Sequence, residues 1–218
     1  MGLVLLVRHG QASFGAADYD VLSDVGLEQS AVLGRFLAAT ETGADALVHG
    51  AMRRQRDTAV AMAQAAGWST ASALDDGWNE FDHLGVVARA VGTLDGIDRR
   101  EFQRVFEEAT ARWVGGRHDE DYDEPWHAFV DRVRGAVDRA CARDGVTVVV
   151  SSGGPIAVAC AMLVDPEAST PELGRLWSSY NTVIANTSVT RLLVGSSGRR
   201  LLTFNEHSHL PRALVTYR

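Results

Sequence analysis

Leu3-Val4-Leu5-Leu6-Val7-Arg8-His9-Gly10-Gln11-Ala12-Ser13 is the stretch that decides the fold. Five consecutive apolar residues, all Leu or Val, form the pattern of a strand covered on both faces, as in a parallel sheet. A cation, an imidazole and a glycine close the run. In open α/β sheets ligands bind at the carboxyl ends of the strands, where the connecting loops diverge. A guanidinium grips a phosphate through paired hydrogen bonds, and a neutral imidazole beside it is a competent nucleophile. Gly10 lets the backbone turn sharply and approach a ligand closely.

The same grammar returns later in the chain. Val146-Thr147-Val148-Val149-Val150 is a second buried strand. It exits into Ser151-Ser152-Gly153-Gly154-Pro155-Ile156, a turn suited to cradling phosphate and opening a helix with proline in its first turn. Between the two, Ala46-Leu47-Val48 forms a short strand that runs through His49-Gly50 to Arg53, Arg54 and Arg56 and a helix reaching Ala66. Arginines at a helix start add to the positive end of its dipole and make an anion site.

The remaining elements follow from periodicity. Ser23 reads as an N-cap, with Leu27, Ala31, Gly34 and Leu37 on one helical face and Leu33 and Phe36 beside it. Leu74 to Asp76 ends a strand or turn. Phe102, Val105, Phe106, Ala109 and Trp113 repeat at helical spacing, and a strong apolar face runs from Trp126 to Cys141. Residues 156–164 form a buried helix and 171–178 another. Strands are expected at 181–185, 188–194 and 201–204, the last two joined through Gly195-Ser196-Ser197-Gly198. Neither a second domain nor an internal repeat is read. Residues 85–97 are glycine-rich and weakly patterned, and residues 85–125 are expected to form a cap or insert over the site.

Composition excludes several classes. A chain of 218 residues with 46% hydrophobic content builds a core and is not wholly disordered. Its net charge of -7 argues against a nucleic-acid surface. All 21 basic residues are arginine, which excludes a Schiff-base or P-loop lysine. Cys141 and Cys160 lack metal-ligand spacing and read as small buried hydrophobes. The run Asp119–Glu124 holds five carboxylates around Tyr122 but lacks the spacing of a calcium loop, so a solvated loop is expected there. The run at 3–7 is too short for a signal sequence, and Pro155–Val164 falls far short of a membrane span. A cytoplasmic protein with no membrane partner is the expectation. Oligomeric state is not legible.

Four segments between residues 8 and 154, in this order, resemble the histidine phosphatase superfamily, the phosphoglycerate mutase-like proteins. The resemblance implies a three-layer α/β/α sandwich around a mostly parallel sheet. It extends to Leu22-Ser23, Gly26 and Gln29, where the family's first helix opens. The family's arginine four residues before Thr-Ala is matched by Arg54, with the roles of Arg53 and Arg56 left open. Its acid is matched by Glu80, within Trp78-Asn79-Glu80-Phe81-Asp82-His83. A carboxyl flanked by Trp78 and Phe81 has its pKa raised by desolvation and can hold a proton for a leaving alkoxide. Asp82 competes for that role. The mechanism implied is phosphoryl transfer to His9, with Arg8 and Arg54 on the phosphoryl oxygens, Glu80 protonating the leaving group, and water hydrolysing the phosphohistidine. The guanidiniums carry the charge, so neither metal nor other cofactor is required.

The chain departs from the family at Ser152, where a second histidine is usual. Ser152 supplies a neutral hydrogen bond but no positive charge, and losing one preorganised donor typically costs about 10²–10³ in turnover. Ala12 and Gly15 stand where many members carry threonine and asparagine, leaving Gln11 and Ser13 as nearby donors, with Gly153 on the opposite turn. His83, His207 and His209 are candidates to compensate for the missing histidine, against the plainer reading of surface residues. Three functions remain in view: a slowed phosphomonoesterase acting on a small phosphorylated metabolite, a catalytically weak phosphate-binding protein, and a phosphoglycerate mutase. The last fits poorly, because that group carries a lysine-containing segment where this chain reads Asp82-His83-Leu84-Gly85.

Overall fold

The computed structural model describes residues 2–13, 19–40, 43–91 and 99–217. In chain order the elements are β1 (Gly2–Arg8), α1 (Asp24–Thr40), β2 (Ala46–His49), α2 (Arg53–Ala66), β3 (Ser72–Leu74), α3 (His83–Val91), α4 (Arg99–Val114), α5 (Trp126–Cys141), β4 (Val146–Ser151), α6 (Gly153–Val164), α7 (Thr170–Asn181), β5 (Val189–Gly195) and β6 (Gly198–Glu206). The strands form one sheet in the order β3-β2-β4-β1-β5-β6. β1 to β4 run parallel, and β5 lies antiparallel to both β1 and β6. This is the mostly parallel α/β fold expected.

The two-sided burial of β1 follows from its alternation. Val4 and Leu6 face a core shared with α5 and α6, while Leu5 and Val7 face α1 and α2 through Leu33, Leu37, Ala59 and Met62. A strand with apolar residues on both faces can only sit inside such a sandwich. β4 pairs with β1 in register, Arg8 opposite Ser151, so the two polar exits open side by side at the carboxyl ends of the two central strands.

Two expectations are corrected. Residues 181–185 are not a strand: Ser169 and Glu172 form a reciprocal capping box that opens α7, and that helix runs through Asn181. Ile184 and Ala185 are buried in the irregular segment that follows. On α1 the buried stripe is rotated from the one expected, leaving Leu27 46% exposed while Gln29 and Ser30 are buried. Those polar residues tolerate burial because they are bonded: Ser30 donates to Gly26 O at 2.7 Å and Gln29 to Leu214 O at 2.7 Å. Ser23 caps α1 as expected, its hydroxyl accepting from Gly26 N–H at 3.1 Å.

Both cysteines are free and buried. Among the described residues no His/Cys/Asp/Glu group could hold a metal ion. In the acidic run, Asp121 pairs with Arg112 and Glu124 with Arg132 at 2.6 Å. No described helix is long and apolar enough to cross a membrane. Gly15 and residues 92–97 of the glycine-rich stretch lie outside the described residues, as does the side chain of Phe102.

Candidate active site

A cavity of about 610 Å³ opens at the exits of β1 and β4, lined among others by Arg8, His9, Arg54, Glu80, His83 and Gly153. His9 is 4% exposed. Arg54 Nε, which can only donate, lies 3.1 Å from His9 Nε2, so Nε2 must be the unprotonated nitrogen. The proton therefore sits on Nδ1, which donates to the Gly10 carbonyl at 2.7 Å. Burial, then the charges of Arg54 and Arg8, hold His9 well below the usual histidine range against the opposing pull of the Gly10 carbonyl. The result is a neutral imidazole whose lone pair meets the guanidinium of Arg54.

The surrounding backbone is tied down. Gly10 N–H donates to Thr58 Oγ1 at 2.9 Å, Thr58 donates on to Arg54 O at 2.7 Å, and Asn186 Nδ2 donates to His9 O at 3.1 Å. The Thr58-Ala59 pair on α2 thus couples the turn after β1 to the helix that carries Arg54. A side chain at position 10 would put its Cβ 2.5 Å from Gly26 O, so the turn packs against α1 only as glycine.

The two arginines are held differently. Arg8 Nη1 donates to the carbonyls of Ile184 and, at 3.1 Å, Tyr217, while its Nε is buried without a partner among the described residues. A buried unpaired guanidinium N–H is costly. Arg54, 5% exposed, sits in the first turn of α2. Its Nη1 bonds Asp20 Oδ1 at 2.7 Å, its Cζ lies 5.4 Å from the Tyr19 ring centre, and Asp20 Oδ2 also accepts from Arg53 N–H at 2.8 Å.

Glu80 lines the same cavity, accepting from Gly154 N–H and Phe81 N–H, both at 3.2 Å. Desolvation raises its pKa, opposed by the Gly154 N–H, Arg54, the Phe81 N–H and Arg8. Behind it Phe81 stacks on Trp113 at 4.8 Å and meets Phe129 and Trp177 edge-on at 5.7 Å, giving the carboxyl an apolar backing. The site therefore holds a depressed base and an elevated acid, the arrangement that separates acid from base roles.

Other residues singled out from the sequence fall elsewhere. Asp82 does not line the cavity; its carboxylate accepts from Gly85 N–H at 2.9 Å in the first turn of α3. Gln11 turns away, its carboxamide oxygen accepting from Ser23 at 2.9 Å. Ser152 is fully buried beside the cavity, and its hydroxyl accepts from Gln55 Nε2 at 2.8 Å. Arg56 is occupied on the surface by Asp57 at 2.8 Å. His207 bonds the Asn205 carbonyl at 2.6 Å and His209 stacks on Phe36 at 5.4 Å, whereas His83 does line the cavity. Sequence reasoning missed Tyr19, Gln103, Asn181, Thr182 and Tyr217 as lining residues, since none belongs to a motif.

Fold and site together define an α/β protein with a cavity lined by two arginines around a buried histidine. The sequence profile of the histidine phosphatase superfamily (branch 1) matches residues 4–207, and the chain belongs to that superfamily. No curated protein sequence matches it. Among solved structures its fold is similar to a phosphoserine phosphatase mutant from Entamoeba histolytica in complex with phosphoserine, with TM-score 0.69 and 18% identity over 97% of this chain and 100% of that one. Bacillus stearothermophilus YhfR matches with TM-score 0.68 and 19% identity over 96% and 99%. A mycobacterial glucosyl-3-phosphoglycerate phosphatase complexed with VO3 matches with TM-score 0.64 and 20% identity over 95% and 100%.

Proposed function

We propose that this protein is a phosphomonoester hydrolase that works through a phosphohistidine at His9. The observation that carries the reading is the tautomer of His9, with Nδ1–H bound to the Gly10 carbonyl and the Nε2 lone pair facing Arg54 at 3.1 Å. An incoming phosphate takes the N–H groups of Arg54 and Arg8, freeing that lone pair for in-line attack. The P–O bond to the alcohol breaks as the N–P bond forms, and Glu80 gives its proton to the leaving oxygen. Water then attacks phosphorus, Glu80 takes back a proton, and the N–P bond breaks to release phosphate. The arginines stabilise the charge that spreads over the equatorial oxygens, so the cycle needs no metal. Residues 85–125 are the proposed cap, and Gln103 and Phe106 from within it line the cavity. Small phosphorylated metabolites are the substrates this cavity suits, and phosphoserine, which a structural relative binds, belongs in the first panel.

A second reading, a phosphate-ligand-binding protein with little turnover, is favoured by Ser152. The position where the superfamily usually has its second histidine is filled by a hydroxyl committed to Gln55. One experiment separates the two: phosphate release from p-nitrophenyl phosphate and a phosphomonoester panel across roughly pH 5–8, with His9→Ala alongside. The hydrolase reading expects release that disappears in His9→Ala, and acid-labile phosphate on the wild-type chain after quenching. Equal background release from both proteins would leave the binding reading standing.

A further inference from the structure

We infer that His83 is a ligand of the phosphoryl group, giving a hydrogen bond to an equatorial oxygen from the segment that follows Glu80. This rests on the phosphate-site reading above. Arg8 and Arg54 are the two guanidiniums among the described cavity-lining residues, and the turn after β4 adds no cation. Ser152 cannot make up the deficit. Its side chain is fully buried, and the carboxamide of Gln55 sits 2.8 Å away, itself also bonded to Trp78 O at 3.1 Å. A third side-chain donor has to come from another element.

His83 is the histidine that the fold delivers. It stands three residues after Glu80 in a segment whose members at 80, 81 and 83 line the cavity. The intervening Asp82 is turned aside to cap α3 through Gly85 N–H at 2.9 Å, and that cap fixes the first helical turn on which His83 rides. Gly85 is required for this, since a Cβ there would fall 2.3 Å from Asp82 Oδ2. The imidazole meets Phe81 edge-on, with ring centres 6.4 Å apart, so the aromatic cluster behind Glu80 also orients His83. Among the described residues no hydrogen bond to its ring is found, whereas His9, His49, His127 and His207 each have a ring nitrogen committed to a carbonyl or carboxylate. Burial and then Arg54 lower its pKa against the pull of Asp82, a sign that the ring feels the charge of the phosphate-binding arginine. A neutral imidazole still has one N–H to give, and an arriving phosphate favours a second proton on it.

The test measures inorganic phosphate binding by titration calorimetry and turnover of several phosphomonoesters, using wild type, His83→Ala, His83→Gln and His207→Ala. His83→Ala is expected to weaken phosphate binding about tenfold or more, the worth of a hydrogen bond to a charged group. It should also lower kcat by about 10²–10³, equally for every leaving group. His83→Gln keeps an N–H donor and should recover part of both losses, and His207→Ala should match wild type. His83→Ala and His83→Gln proteins that bind phosphate and turn over like wild type would overturn the inference and leave the hydrolase reading intact. So would a loss that varies with leaving group while phosphate binding is unchanged, because His83 would then be a wall for the alcohol. Phosphate binding that depends on His83 in a protein that hydrolyses nothing would support the ligand role and overturn the hydrolase reading. A wild type that binds no phosphate would overturn both.

Discussion

Position 154 is glycine because the carboxyl of Glu80 lies where a side chain would be, a Cβ there falling 2.1 Å from Glu80 Oε1. On the proposed mechanism, Gly154→Ala should therefore push Glu80, the acid, out of line while leaving His9 alone. The expected signature is a large fall in kcat for alkyl phosphates and a small one for p-nitrophenyl phosphate, whose leaving group needs no proton; equal losses would refute it. Ser152→His alone should overpack the space held by Gln55, costing about 1–3 kcal/mol in a denaturant titration, and Gln55→Ala in the same chain should relieve it. That Arg8, His9, Arg54 and Glu80 would meet around one cavity was legible in the sequence because each sits in a short motif. Gln11 and Ser152 were not: which way a side chain turns depends on Ser23 and Gln55, partners brought near only by folding. Asn181 and Tyr217 carry no local signal at all.

At the level of elements, α2 does two jobs, presenting Arg54 and tying down the turn after β1 through Thr58. Thr58→Val keeps the shape but leaves Gly10 N–H buried and unpaired, at a cost of about 1–3 kcal/mol. Chemical denaturation should report that loss together with weaker phosphate binding, and an unchanged phosphate affinity would mean that the turn holds its form without the hydroxyl. Buried strands were easy to read, since apolar residues on both faces leave one arrangement open to them. The rotated stripe of α1 was harder, because Gln29 and Ser30 look like solvent-facing residues until their partners are known. Residues 181–185 misled for a related reason: a β-branched run reads as strand, yet the helix opened by the capping box at Ser169 runs to Asn181 and the rest of the run is irregular backbone.

Over the whole molecule, His9, His83 and His209 all titrate below the ordinary histidine range, His209 at about 4 through burial and then His207. The unfolded chain takes up protons at these sites below the usual value of 6.5 while the folded one resists. Their stability contribution is thus fully present above that pH and is lost as pH falls towards 4. His209→Phe, which keeps the stack on Phe36, should flatten the decline of the denaturation midpoint across this window, and parallel slopes would exclude the idea. The sheet order carries a last consequence, for how the chain is made. β1 lies between β4 and β5, and Leu3 finds its parallel partner in Val146. During synthesis the strand with the longest unbroken apolar run therefore leaves the ribosome long before either neighbour exists, a non-local pairing of the kind that folds slowly and exposes the chain to aggregation. Until β4 emerges, the strand that bears Arg8 is a natural client for a chaperone.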